Sequence, residues 1–321
     1  MTDAVAGRSC WEVIAEATGF VMSQESIREV KYRGFTFGCR IVEQPHPQVE
    51  PIVVLGGAYQ NMHSNRRSER PWTAAATVVS VELPGLGTAD DLPDDYGFDF
   101  MSDALGHLLD SLGLGRVNII AVSYGTAIAY RYTQRYPDRV VRLALVGSTQ
   151  TLPDDARLAI TQVNDLLRAG RTEEFARRAV DLLVCSDASC LAAHPHAAAE
   201  VLRRVLAAAG PADTVRYIAA NRRLLQHPFG EPGLIRGVRA LCLSGEHDRL
   251  CPTAGARAVA ASIPGALLAV MKGSGHVVHL ERPRDFSDVL ARFMTDQPLE
   301  GHPGLEFVQA VPAAQQLTAT V

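Results

Sequence analysis

The segment Ala121-Val122-Ser123-Tyr124-Gly125 constrains this chain of 321 residues more than any other stretch. It stands where an apolar run, 117–122, gives way to a helical pattern over 124–135. A serine at such a junction occupies a sharp strand-to-helix turn, which strains its backbone and projects its Oγ beyond the sheet edge. The chain doubles back there, so the positions two before and two after must be small, as Ala121 and Gly125 are. The following helix turns its unsatisfied N–H groups and the positive end of its dipole toward the serine. Small-x-Ser-x-Gly alone recurs by chance in a chain rich in glycine and alanine, where it marks an ordinary turn. The strand before it and the helix after it give it meaning.

The rest of the chain repeats the same alternation. Strand patterns fall at 29–32, 35–43, 52–55, 77–83, 117–122, 143–147, 240–244 and 267–272. Helical spacing covers 100–112, ended by Gly113, and then 124–135, 254–262 and 283–294. Strand, helix, strand at these lengths predicts a mostly parallel sheet with crossover helices, an α/β fold. Between them, residues 149–232 are rich in Ala, Leu and Arg and carry no strand pattern, so they read as a helical insertion. The expected organisation is a leader over 1–28, a core over 29–148 and 233–296 split by that insertion, and a loosely held tail over 297–321. Within the leader, Trp11, Ile14 and Ala17 suggest a short helix.

A serine hydroxyl is a weak nucleophile until a base takes its proton. His276, in Gly273-Ser274-Gly275-His276 after the last core strand, is the preferred base, and His279 is its rival. The base in turn needs a carboxylate to fix its tautomer and stabilise the imidazolium. Gly245-Glu246-His247-Asp248 follows the strand at 240–244, with Asp248 the better candidate and Glu246 the second. The chain order Ser123, Asp248, His276 is that of one fold and not of the two main serine-protease folds.

With these pieces the chain resembles the α/β-hydrolase superfamily, as a serine hydrolase with a helical cap, over about residues 29–295. The matching motifs are Leu55-Gly56-Gly57-Ala58, Glu82-Leu83-Pro84-Gly85-Leu86-Gly87, 121–125, 245–248, and Gly275-His276 with Glu281-Arg282-Pro283 behind it. The resemblance implies that 149–232 is a cap over the active site. It also implies an oxyanion hole made by the backbone N–H of Tyr124 and of Ala58, with Gly57 as alternate. Relatives usually carry His-Gly where this chain has Gly56-Gly57, so another residue must brace the loop, and Gln60 or Asn61 could do so. Gln60, Asn61, His63 and Arg66 are the candidate substrate-binding residues. Ser123 also stands where dehalogenases and epoxide hydrolases of this fold carry a carboxylate, which excludes an alkyl-enzyme mechanism.

Composition removes other classes. The net charge of −4 argues against a nucleic-acid surface. No apolar run reaches the ~18 residues of a membrane span, and the amino terminus has no signal-peptide pattern, which points to a cytoplasmic protein. No spacing suggests a metal site, and Gly85-x-Gly87 lacks the rest of a dinucleotide fingerprint, so no cofactor is expected. Cys185 and Cys190 flank a short segment and are expected to be free thiols rather than bridged. The insertion has few aromatics (Phe175, Tyr217, Phe229), which suggests an apolar pocket for an aliphatic or polyketide-like acyl group.

Arg66, Arg67 and Arg70, and separately Arg222 and Arg223, read either as solvated faces or as landing sites for a phosphopantetheine arm or a carboxylate. The expected partner is a small acyl substrate, whether free or held on a carrier protein or coenzyme A. Three functions fit: an ester or thioester hydrolase; an acyltransferase or cyclase that gives the same acyl-serine another acceptor; and a non-catalytic ligand-binding protein on the same fold.

Overall fold

Alternation along the apolar strands decides the layering. In the computed structural model, which describes residues 24–185, 195–230 and 233–313, β3 (Ile52–Leu55) sends Val53 and Leu55 to one face of the sheet and Ile52 and Val54 to the other. β5 (Val117–Val122) and β6 (Val140–Val146) divide in the same way, and all six residues of β5 are buried. Strands apolar on both faces need helices on both sides. One face carries α2 (Phe98–Ser111), α3 (Tyr124–Arg135) and α8 (Thr253–Ala261). The other carries α1 (Arg70–Ala75) and α10 (Pro283–Met294), joined by Trp72 against Phe286 and by the Trp72 indole N–H donating to the Ser287 carbonyl at 3.0 Å.

Among the described residues nine strands lie in the order β1-β2-β4-β3-β5-β6-β7-β8-β9. From β4 (Val78–Glu82) through β3, β5, β6 and β7 (Arg239–Gly245) to β8 (Leu267–Met271) neighbours run parallel. β1 (Glu25–Tyr32), β2 (Phe35–Val42) and β9 (Leu305–Ala310) add antiparallel edges. The sheet is the mostly parallel α/β sheet that the sequence pattern predicts. The parallel strands all end on one side, where ligand crevices form in such folds.

Three expectations are corrected here. β1 begins at Glu25, inside the expected leader, because an edge strand open to water tolerates polar residues that mask its period. The tail expected over 297–321 includes β9, which pairs with β8; Glu306 and Gln309 hide a six-residue strand whose Leu305 is buried. Cys185 is not a free thiol: it is disulfide-bonded, with its partner sulfur and Cys190 both outside the described residues. The helix expected around Trp11, Ile14 and Ala17 also lies outside them.

Between β6 and β7 the described residues form α4 (Asp154–Arg168), α5 (Thr172–Leu183), α6 (Pro195–Ala207) and α7 (Pro211–Gln226). Their apolar faces make a core of their own, which includes Leu250 and Val277 from the loops beneath. Arg223 corrects another expectation, since it is fully buried rather than solvated or open to a ligand. Its guanidinium donates to the Tyr96, Leu92 and Pro93 carbonyls and, at 2.8 Å, to the Tyr124 hydroxyl. Four of its five N–H donors are used in these bonds, so it clamps α7 to the base of α3. Arg222 pairs with Asp94 at 2.6 Å.

Candidate active site

Gly125 explains the turn at Ser123. A Cβ on Gly125 would stand 2.7 Å from the Leu55 carbonyl oxygen and 2.8 Å from that of Gly56, backbone atoms that cannot yield. That close approach drives Ser123 to φ 50° and ψ −116°, outside the regions open to most L-residues. Such strain costs on the order of 1–3 kcal/mol and persists only where surroundings impose it. The Ser123 N–H is held by the Val146 carbonyl at 2.8 Å.

His276 follows β8 and Asp248 follows β7. The Ser123 Oγ lies 2.7 Å from His276 Nε2, and His276 Nδ1 lies 2.8 Å from Asp248 Oδ2. The other Asp248 oxygen accepts the backbone N–H groups of Leu250 and Cys251 at 3.0 and 2.8 Å. These bonds fix the carboxylate and oblige Nδ1 to carry the proton, leaving Nε2 as acceptor for the serine. The three side chains therefore form one hydrogen-bonded line. Glu246, the second candidate, instead accepts the Gly273 N–H at 2.8 Å and steadies the histidine loop.

Two residues whose roles sequence reasoning missed complete this side. Gly147, at φ 65°, lies under the imidazole: a Cβ there would stand 2.9 Å from His276 Cε1. Glu281, 3 % exposed, accepts the Gly275 N–H with one oxygen and the Cys185 N–H with the other, both at 2.8 Å. Burial raises its pKa. The Leu183 carbonyl adds a bond from the His276 N–H at 2.8 Å, so the end of α5 grips the histidine loop directly.

The loop after β3 resolves the question left by Gly56. A Cβ on Gly56 would press on the Gln60 side chain at 3.0 Å, so the missing side chain leaves room for Gln60 to fold back. Gln60 Oε1 accepts the Gly57 N–H at 2.7 Å, and its Nε2 lies 2.8 Å from His279 Nε2. Since the oxygen is already accepting, the amide nitrogen donates, and His279 accepts as a neutral ring. Burial, with a smaller contribution from His276, lowers the His279 pKa to about 4, which keeps it neutral. Gln60 is thus the brace. Asn61 accepts the His63 N–H at 2.9 Å in an exposed turn and does not reach the cavity.

With Gly57 engaged, the Ala58 and Tyr124 N–H groups are the backbone donors beside Ser123 without a partner among the described residues. Above them a cavity of about 440 Å³ is walled by Ile160, Val163, Leu182, Leu202 and Leu224 of the helical insertion, with His63 and Arg66 at its edge. The insertion contributes one polar ladder to this wall: the Tyr59 hydroxyl donates to Asn221 at 2.8 Å, and Asn221 donates to Asn164 at 2.9 Å. Among the described residues no helix is long and apolar enough to cross a membrane, and no group of three His, Cys, Asp or Glu side chains could hold a metal.

The comparisons with known proteins agree with this fold. A family model described as the alpha/beta hydrolase fold matches residues 50–283, well over half of the chain. The chain belongs to the alpha/beta hydrolase family. It is 27% identical over 236 residues to an uncharacterized protein of Mycobacterium tuberculosis, covering 70% of this chain and 69% of that one. It is 23% identical over 265 residues to a putative 2-succinyl-6-hydroxy-2,4-cyclohexadiene-1-carboxylate synthase of Bacillus subtilis, covering 73% of this hydrolase-family chain and 89% of the relative. Among solved structures, the enol-lactonase of Burkholderia xenovorans superposes with a TM-score of 0.71 at 18% identity, over 84% of this chain and all (100%) of that one. At that identity the likeness speaks for the fold alone.

Proposed function

We propose that this family member is a serine hydrolase that cleaves a carboxylic ester or thioester through an acyl-serine intermediate. The single observation that carries the reading is the line from Ser123 Oγ through His276 to Asp248, at 2.7 and 2.8 Å, with Ser123 beside the Ala58 and Tyr124 N–H groups, which have no partner among the described residues. In this reading Ser123 attacks the substrate carbonyl while His276 Nε2 takes the hydroxyl proton, and Asp248 stabilises the resulting imidazolium. The tetrahedral oxyanion forms against the Ala58 and Tyr124 N–H groups, and the donor end of α3 adds favourable potential. His276 then passes its proton to the leaving alcohol or thiol as the bond to carbon breaks. Water, losing a proton to the same histidine, attacks the acyl-serine and releases the acid.

The test is chemical labelling. Purified protein treated with a fluorophosphonate is expected to gain one adduct by intact mass, and the S123A variant none. An unlabelled, well-folded wild type would sink the reading.

A further inference from the structure

The cavity over Ser123 has two chemically different ends. Its inner walls are aliphatic, and no Asp or Glu lines any part of it among the described residues. Its rim joins Val201 and Val205 of α6, exposed to 40% and 54%, to the loop bearing His63, Arg66 and Arg67. An apolar interior with a basic rim is unexpected in a chain whose net charge is −4.

That rim is rigidly mounted. Met62 is held from both sides, its N–H donating to buried Glu82 at 2.8 Å and its carbonyl accepting from buried Arg40 at 3.2 Å. At the far end of the loop the Ser287 hydroxyl donates to the Ser68 carbonyl. The loop's own acid, Glu69, turns inward to pair with Arg40 and so cannot neutralise the rim. Arg66 pairs with Glu25, both groups being about half exposed (49% and 43%). Arg67 has no carboxylate partner among the described residues.

We infer that the substrate carries an anionic group on its leaving portion, which Arg67, with Arg66 beside it, receives at the rim while the acyl chain enters the aliphatic interior. The assignment of which portion leaves rests on the acyl-serine reading. The charge preference does not. Guanidinium matches phosphate and carboxylate alike through paired N–H donors, so the shared chemistry is an oxyanion, supplied either by a phosphopantetheine thioester or by a carboxylate-bearing alcohol or thiol.

Calorimetric binding of unreactive thioethers tests this without turnover. S-hexyl-4′-phosphopantetheine and S-hexyl-pantetheine differ only in the phosphate, and (hexylthio)acetate and (hexylthio)ethanol compare carboxylate with hydroxyl. Each exposed charge pair is worth a few-fold, so at low ionic strength we expect the anionic member of at least one pair to bind roughly tenfold more tightly. That ratio should shrink as salt shortens the screening length. R67E should bring it close to one, and R67Q part of the way. A preference in the phosphate pair alone identifies the phosphate source; one in both pairs identifies a general oxyanion site. Equal Kd values within both pairs, absence of binding by all four compounds, or a ratio untouched by R67E and R66E, would each overturn the inference. Failure of fluorophosphonate labelling would remove the acyl-serine reading and leave these outcomes readable.

Discussion

The floor and the roof of the cavity are held by different forces. On the floor, the loops after β3, β5, β7 and β8 place each polar side chain through hydrogen bonds to backbone: Asp248 to Leu250 and Cys251, Gln60 to Gly57, Glu281 to Gly275 and Cys185. The roof's inner face is aliphatic; its edges are held by the Leu183 carbonyl and by Arg223, and within it a polar ladder of Tyr59, Asn221 and Asn164 meets the loop after β3. Directional bonds fix atoms to within tenths of an ångström, whereas apolar packing fixes volume and tolerates exchange of shape. The floor is therefore suited to chemistry and the roof to choosing a substrate. Variants on the floor should damage rate, and variants on the roof should alter stability and selectivity.

The largest effect tests the floor itself. On the acyl-serine reading, S123A should lower kcat on the order of 10⁶-fold with stability little changed, since alanine keeps the same Cβ in the same backbone conformation and only the hydroxyl is lost. D248N should follow, at about 10⁴-fold, because the amide cannot hold His276 in the tautomer that accepts from Ser123. Both are read from kcat on an activated ester, with circular dichroism to verify folding. A D248N loss of under about tenfold would mean that Asp248 is a packing residue and that the floor is less directional than its bonds suggest.

The oxyanion side comes next. Q60L removes the brace on Gly57 and leaves its N–H unpaired, so the Ala58 donor should drift from the reacting oxygen. A whole oxyanion donor is worth about 10²–10³ in kcat, and partial misalignment should cost about tenfold to a hundredfold, with KM little moved. A rise in KM at constant kcat would show that Gln60 only binds substrate, and the brace would be refuted.

His279 supplies a pH signature on the same loop. Its folded pKa is lowered from 6.5 to about 4, chiefly by burial, so between those values the unfolded chain binds a proton that the native state refuses. Stability then falls as pH drops through that window and levels off below it. The wild type should lose about 2 kcal/mol between pH 7 and 5 from this group. H279Q can still accept from Gln60 but does not titrate, so its urea midpoint should fall less over the same interval. Parallel declines in both proteins would place the neutral histidine elsewhere.

How much of this was legible in the sequence follows the same division. The elbow could be read because its causes are local: Gly125 and Ala121 are required by the turn that Ser123 occupies. Asp248 and His276 could be read because each follows a recognisable strand. Gly147 carries no local signal, since only the folded chain brings its Cα beneath His276. Glu281 lay within a recognised motif, but its task of joining Gly275 to Cys185 depends on a segment 96 residues away in sequence. His279 reads as a rival base and proves to be the acceptor for Gln60. Arg223 reads as surface because burial of a guanidinium depends on carbonyls from a distant loop. Residues whose role is set by tertiary partners leave no periodicity to find.

The smallest effect belongs to the polar tie that runs through Tyr59. Y59F removes a single hydroxyl and keeps the ring that packs against Phe175 and Tyr217. Its bond to Asn221 is partly buried, so the loss should be about 1 kcal/mol, seen as a lower urea midpoint with an unchanged slope. Tyr59 directly follows Ala58, and this makes the variant informative beyond its size. If floor and roof are independent, kcat should change by less than the about fivefold that 1 kcal/mol represents. If kcat falls further, the ladder through Asn221 and Asn164 is also aligning the Ala58 N–H. The roof would then act on rate as well as on choice of substrate. Replacing Tyr59, Asn221 and Asn164 together by Phe, Leu and Leu separates these cases. A fully apolar roof should recover stability, because no buried polar atom of the ladder remains unpaired. It should not recover kcat if the ladder positions the oxyanion loop.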